Sequence, residues 1–381
     1  MKVLGIDLGS YEIKGIVFDL NKKKVINFSK EKTQGYKKGL IVKKSEFKTC
    51  LEKIIDEFER SFEKRFYKAV ICFNSDNFSF KNQKDFIFLP KEIVRQEDIE
   101  KILNYEKRSN LPSLRELVEF VPLTFYLDQV EIEDPLGKEG TRLDLESLVV
   151  DCSRTIVNGL KEILEEYFES FKLKFSSLAS ALFYLNEKEK DVGTLFFDFG
   201  HETTSLILIA GGKFVDAKIL PVGSYSLTKD LASNLKINID QAEEIKRQFG
   251  SVGLKKNWRK EKIQIYENEY SLKEIVNILE ERFEEILEEL IKFLKETNFY
   301  RNLPGGILLA GGGSKLSNIA AFTKEKTKIY TRRLNVKDFF ENLTQAEDMI
   351  EYANSIAIVN LEKSYVEDES FWHKIKSIFS F

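Results

Sequence analysis

The sequence predicts an α/β protein built from two similar lobes, and three stretches carry that prediction. Residues 3–20, VLGIDLGSYEIKGIVFDL, are two β-branched apolar runs joined by a short turn, with Asp7 closing the first and Lys14 on the second. Residues 194–209, TLFFDFGHETTSLILI, repeat the order: apolar strand, Asp198, Gly200, the hydroxyls of Thr203 and Thr204, apolar strand. Residues 304–319, PGGILLAGGGSKLSNI, run an apolar strand into consecutive glycines. Two hairpins of one form half a chain apart imply duplicated lobes, and 381 residues are too many for one compact core.

The chemistry of the three stretches points to one kind of ligand. A phosphate needs backbone N–H groups aimed at it and no side chains in the way. Gly9 leaves the backbone open, Ser10 and Tyr11 complete the turn with hydroxyls, and Lys14 reaches back with a charge. Asp7 and Asp198 sit at strand ends, where a carboxylate can hold the water shell of Mg²⁺. In the second hairpin Gly200, His201, Glu202, Thr203 and Thr204 form the matching turn, and His201 is expected to face solvent there rather than act as a catalyst. Gly311, Gly312 and Gly313 are more glycines than a strand–helix turn requires, so a flat ring and sugar can lie against that backbone, with Ser314 placed to cap the next helix. No GxxxxGK[ST] loop is present, so this is not a Walker-type site.

The elements follow in order. Residues 1–7 and 13–20 are the first hairpin, residues 45–66 an amphipathic helix, and residues 69–73 a short buried strand. From residue 84 the texture changes to a small α+β insert. It holds a helix at 98–108, strands at 118–126 and 147–152, and a Pro/Gly turn at 134–140. The spacing predicts a helix over 153–171. After the second hairpin and a third strand at 213–219, whose turn is Gly211–Gly212, helices are expected at 227–235 and 240–249, the latter with Asp240 as its N-cap. A long acidic helix at 272–297, a strand at 306–310 and a last helix at 348–361 complete the body.

Composition narrows the function classes. Basic and acidic residues number 59 and 62, a net −3, which gives no support for a nucleic-acid partner. Cys50, Cys72 and Cys152 are odd in number and far apart, so a disulfide framework or zinc site is not expected and a reducing compartment fits. Two histidines, His201 and His373, cannot build a His-rich metal site. No signal peptide is implied at the N-terminus, and no apolar run approaches the length of a membrane span.

With these motifs in hand, the chain resembles the actin/Hsp70/sugar-kinase superfamily, whose phosphate-1, phosphate-2 and adenosine motifs the three stretches match in order. Within it the chain is similar to the FtsA family of bacterial cell-division proteins. The residues that carry this are VPLTFYLDQVEIEDPLGKEGTRLDLESLVVDC at 121–152, LASALFYL at 178–185, PVGSYSLTKDLA at 221–232 and AEEIKRQFG at 242–250. The resemblance implies ATP and Mg²⁺ as cofactors and adds Gly223, Glu243 and Lys246 to the nucleotide-binding set, the last two near ribose and adenine. It implies actin-like, ribonuclease-H-type lobes with the FtsA-type insert. Subdomain 1A is expected at 1–83 and 161–192, insert 1C at 84–160, subdomain 2A at 193–223, subdomain 2B at 224–300, and the rest of 2A with the return helix to 1A at 301–362. The FtsZ C-terminal tail is the implied partner, bound by the lobe around 224–300. Head-to-tail self-association into filaments would use the insert, and later division proteins are further candidates. Two positions depart from the family pattern: Asp134 stands where Asn is usual, and Ser176 where related filament ATPases place a Gln or Glu to orient water. A serine orients water poorly, so hydrolysis is expected to be slow at most and no catalytic residue is assigned.

The C-terminus adds a second kind of chemistry. After a linker at 363–369, SFWHKIKSIFSF at 370–381 places Phe371, Trp372, Ile375, Ile378 and Phe379 on one helical face and His373, Lys374, Lys376 and Ser377 on the other. That is the pattern of a helix lying in a membrane interface. The protein would then sit on the cytoplasmic face of the membrane at the division site. A PilM-like component of type IV pilus assembly shares the ATP motifs and an insert in the same place; the Pro-Leu-Gly stretch and the tail argue against it. A small-molecule kinase would need a base carboxylate such as Asp198 near the γ-phosphate, and the insert has the wrong character for that class.

Overall fold

The computed structural model describes residues 2–22, 24–108, 111–253, 261–265, 268–339 and 349–361. In chain order the elements begin with β1 (Lys2–Leu8), β2 (Glu12–Asp19), β3 (Lys24–Lys32), the two-residue strands β4 (Tyr36–Lys37) and β5 (Leu40–Ile41), α1 (Lys44–Phe62) and β6 (Lys68–Phe73). The insert contributes β7 (Ser79–Phe88), α2 (Gln96–Arg108), β8 (Arg115–Leu127), β9 (Val130–Ile132) and β10 (Arg142–Ser153). Next come α3 (Arg154–Leu164), β11 (Ser170–Phe175), α4 (Ser176–Tyr184) and α5 (Glu187–Val192). The second half holds β12 (Thr194–Phe199), β13 (Thr204–Ala210), β14 (Lys213–Leu220), α6 (Ser224–Leu235), α7 (Ile239–Phe249), β15 (Lys262–Ile265), β16 (Asn268–Ser271) and α8 (Leu272–Glu296). It closes with β17 (Gly306–Ala310), α9 (Ile319–Thr327), β18 (Thr331–Arg333) and α10 (Ala353–Leu361).

The chain divides into two compact units. Among the described residues, the first comprises Lys2–Leu8, Glu12–Ala179 and Asn354–Leu361; the second comprises Gly9–Tyr11 and Ser180–Ala353. The sheet of the first unit has the order β11-β6-β1-β2-β3, with β1, β2 and β3 antiparallel and β6 and β11 parallel to β1. The sheet of the second unit has the order β18-β17-β12-β13-β14, with the same senses throughout. The expected duplication is therefore present strand by strand. Even the register repeats: Asp7 lies opposite Lys14 and Cys72, and Asp198 opposite Ser205 and Ala310.

In the first unit, α1 and α10 cover opposite faces of the sheet. Gly15 leaves room for Phe58 and Ile54 of α1, and Gly5 leaves room for Val359 and the Ser355 carbonyl of α10; a Cβ at either would collide with them. Phe47, Leu51, Ile54 and Phe58 bury the stripe of α1 that sequence periodicity predicts, packed with Ile156, Val157 and Leu160 of α3. In the second unit Phe197, Phe199, Phe283 and Phe322 form an aromatic core between β12 and helices α8 and α9.

Within the first unit the insert forms its own sheet, β7-β10-β8-β9, with α2 packed on it through Ile99, Ile102 and Leu103. The Pro-Leu-Gly turn is pinned by backbone bonds: Gly137 N–H to the Val94 carbonyl, Val94 N–H to Lys138, and Gly140 N–H to Glu92, each 2.9 Å. Asp134 accepts the Leu136 N–H at 3.0 Å. An asparagine oxygen would accept the same bond, so the acidic residue at this position changes nothing in the turn.

Three local expectations are corrected. Residues 153–171 are not one helix: α3 ends at Leu164 and β11 begins at Ser170. The cap of α7 is Asn238, not Asp240, through a reciprocal pair in which Asn238 accepts from Gln241 N–H and Gln241 from Asn238 N–H. Ser314 does not cap the helix that follows: it lies in a 3₁₀ turn, Gly312–Lys315, and α9 starts only after Asn318. Among the described residues no helix is long and apolar enough to cross a membrane. The tail and its candidate contacts Phe371, Trp372, Lys374, Ile375, Lys376, Ile378 and Phe379 lie outside the described residues.

Candidate functional site

The first unit assembles a buried carboxylate cage at the end of β1. Asp7 is 5% exposed. Its Oδ1 accepts from Ser176 Oγ at 3.4 Å and from Cys72 Sγ at 3.5 Å; its Oδ2 lies 3.4 Å from Asn354 Nδ2 and 4.0 Å from Lys14 Nζ. Burial pushes the Asp7 carboxyl above its ordinary value, and the Lys14 charge with the Asn354, Cys72 and Ser176 donors offsets only part of that cost. The same burial, with Asp7 alongside, pushes the Cys72 thiol well up, so this cysteine stays a neutral thiol. A buried carboxylate whose partners stand this far off suits a hydrated cation, the role expected for Asp7. Sequence reading found Asp7 and Lys14. It missed Asn354, which arrives from α10, more than three hundred residues later, with no motif to mark it.

Ser176 opens α4, and its hydroxyl is directed at Asp7. Its neighbour Ser177 accepts from Asn74 Nδ2 at 2.8 Å. Both hydroxyls are thus engaged in tying α4 to the ends of β1 and β6.

In the second unit the 200–204 turn is a closed backbone structure. Gly200 N–H donates to the Thr203 carbonyl at 3.0 Å, and the buried Thr204 hydroxyl donates to the Val222 carbonyl at 2.7 Å. The start of α6 then satisfies the outer carbonyls: Ser224 N–H donates to Gly200 and Tyr225 N–H to His201, at 2.9 and 2.8 Å. Gly223 is required for this approach, because a Cβ there would strike the His201 carbonyl. His201 is not a solvent-facing turn residue: it is half-buried, with its ring 4.8 Å from Tyr11 and 4.9 Å from Tyr225. The Arg247 guanidinium stands 4.8 Å over the Tyr11 ring.

The three glycines after β17 have different reasons to be glycine. Gly311 has φ +79, and a Cβ would meet the Asp198 carboxylate and the Phe199 carbonyl; at Gly313 it would meet the Phe199 ring. At Gly312 it would meet nothing within 4 Å. Ser314 is buried and donates its hydroxyl to the Gly311 carbonyl at 2.7 Å, which fixes the turn.

Glu243 and Lys246 on α7 are not a solvated helix face. Lys246 Nζ lies 2.7 Å from Glu243 and donates to Thr228 Oγ1 at 2.8 Å and to the Ser224 carbonyl at 3.1 Å. Burial would raise the Glu243 carboxyl, but Lys246, Thr228 and Arg247 outweigh it and hold it below the ordinary carboxylate range. The pair clasps α7 to α6. Among the described residues no cluster of three or more His, Cys, Asp or Glu could enclose a metal.

Two matched sheets with an Asp at the end of the first strand of each define the actin-like fold, and comparison with solved structures agrees. The chain overlays the protein chain in a PilM–PilN type IV pilus biogenesis complex with TM-score 0.70 at 19% identity, covering 94% of this chain and 98% of that one. MreB5 of Spiroplasma citri bound to AMPPNP gives 0.59 at 16% identity, covering 97% and 98%. At the level of family, the model described as "Cell division protein FtsA" matches residues 195–357, and that described as "SHS2 domain inserted in FTSA" matches residues 76–151. Cell division protein FtsA of Bacillus subtilis (strain 168) is 25% identical over 334 residues, 84% of this chain and 76% of that protein. The chain belongs to the FtsA family of cell-division proteins.

Proposed function

We propose that this protein binds ATP with Mg²⁺, assembles into filaments and tethers FtsZ filaments to the cytoplasmic membrane at the division septum. The observation that carries the nucleotide part is the Asp7 cage, a buried, under-satisfied carboxylate at the strand end where the first phosphate hairpin turns. Mg²⁺ would neutralise phosphate charge when bound, and Asp7 would hold its water shell; Asp198 is the matching carboxylate of the second hairpin. Lys14, Gly9, Ser10 and Tyr11 would meet phosphate from the first hairpin, and Gly200, His201, Glu202, Thr203 and Thr204 from the second. Gly311, Gly312, Gly313 and Ser314 would receive adenosine, with Glu243 and Lys246 at its edge and Gly223 shaping the turn beside them. The open space at Gly312 supports that assignment. The MreB5 structure, similar in fold, is described as bound to AMPPNP.

Slow turnover is part of this reading. Ser176 stands where a water-orienting residue would, and its hydroxyl is directed at Asp7. Turnover well above one per minute in the purified protein would contradict it. The pilus reading rests on likeness of fold, whereas the family models and curated relatives favour cell division.

The membrane part rests on the sequence of residues 370–381. A helix this short binds lipid weakly alone, and many copies on one filament bind strongly together. Liposome co-sedimentation with ATP and FtsZ tests the tether, using the full chain and a chain ending at Glu369. Full-length protein should carry FtsZ into the pellet and the shortened chain should not; equal lipid binding by both would end the tether model.

A further inference from the structure

Asp7 is framed by its neighbours more than gripped. A charge-assisted hydrogen bond to a carboxylate is ordinarily about 2.7–2.9 Å long. The Ser176 and Asn354 contacts are both 3.4 Å, and Lys14 stands at 4.0 Å. Lys14, Cys72 and Ser176 come from β2, β6 and α4, but Asn354 comes from α10. The position of α10 is set independently of Asp7. Its Val359 side chain and Ser355 carbonyl fill the space left by Gly5, and Ser355 Oγ donates to the Lys14 carbonyl at 3.2 Å.

The Asn354 amide is therefore delivered to Asp7 by packing. A carboxylate can only accept, so the amide nitrogen is the group that faces it. We propose that Asn354 is a positioning residue for Asp7: by holding Oδ2 it sets the rotation of the carboxylate, and so how strongly Mg²⁺ strengthens ATP binding. This deepens the ATP reading above and rests on it. Nothing in the phosphate motifs assigns this role, because Asn354 lies in a helix that otherwise reads as plain apolar core, ANSIAIVNL.

The test is ATP titration of the full chain by calorimetry, once with Mg²⁺ and once with EDTA, alongside a melting curve for each variant. Asn354→Leu keeps the size and removes the donor; Asn354→Ala is the second variant should the leucine not be accommodated. Both should lower MgATP affinity about tenfold, the low end for loss of a group that orients a metal-holding carboxylate. Affinity in EDTA should stay within about twofold. Ser355→Ala removes the neighbouring bond from α10 to the hairpin and should leave the Mg²⁺ gain intact, which separates positioning from general anchoring of the helix. If wild-type protein binds no ATP in either condition, the nucleotide reading itself fails. If wild type binds and the Asn354 variants weaken both conditions alike, or neither, the positioning role is overturned.

Discussion

The two five-stranded sheets share strand order, strand sense and register, yet they treat the same carboxylate position in opposite ways. In the first unit side chains do the work: Asp7 faces a lysine, an asparagine, a serine and a thiol from four different elements. In the second unit a glycine packs against it: Asp198 lies opposite Ser205, and Gly311 leaves free the space in which a Cβ would meet the Asp198 carboxylate and the Phe199 carbonyl. The shared scaffold thus carries a carboxylate ringed by side chains in one copy and a close-packed glycine turn in the other. A side-chain cage can be dismantled with little harm to the fold, while a backbone contact cannot.

Substitutions in the two cages sharpen that contrast. Gly311→Ala should have the largest effect on stability, about 3 kcal/mol lost, because a positive-φ penalty adds to a collision with backbone. Denaturant midpoints would show it, and a loss under about 1 kcal/mol would mean the turn yields freely. Asp7→Asn should move the other way. Burial raises the Asp7 carboxyl, so the ionised form burdens the fold at neutral pH; that burden is absent below about pH 3.8, the unfolded value, and grows as pH rises through the higher folded value. The variant should therefore melt higher than wild type at pH 7 without ligand, by about 1 kcal/mol, the scale seen when a functional site is relieved of strain.

Smaller effects come from the α6–α7 clasp. Glu243 is held below its ordinary carboxylate value of 4.5, so its contribution is complete above that pH and lost as pH falls through the lower folded value. Glu243→Gln should melt lower than wild type at pH 7, and the gap should narrow on acidification below pH 4.5; a constant gap would show that the clasp is not electrostatic. The smallest stability effect belongs to Gly312→Ala, within about 0.5 kcal/mol of wild type, since the added Cβ meets nothing. Its affinity for ATP should nonetheless fall, and an unchanged affinity would remove Gly312 from the adenosine surface.

The hairpins, α1, α8 and β17 were legible because buried apolar residues recur there at strand or helix spacing, and because glycine and aspartate punctuate them. The strands that were missed are those whose residues do not read that way. In SFKLKF, the β11 sequence, two lysines interrupt the apolar pattern and only Leu173 and Phe175 are buried, so the α3 periodicity extends through it on sequence grounds. In β3, KVINFSKEK, an edge strand is paired on one side and is largely half-exposed, so charge takes the place of an apolar run. The site divides in the same way. Motif residues on the hairpins could be named from sequence, but Asn354 and the Thr228 partner of Glu243 are brought in by tertiary packing, which leaves no local trace. His201 was misread because turn residues are usually exposed, and nothing near it in sequence announces the two tyrosines around it.

The central claim is that the first hairpin is the cation-handling pole of an ATP site. Its most direct test is ATP binding to the full chain with Mg²⁺ and with EDTA, compared between wild type and Asp7→Asn. Wild type should bind ATP more tightly with Mg²⁺, and the variant should bind with the same reduced affinity in both conditions. A variant that keeps the full Mg²⁺ gain of wild type would contradict the account.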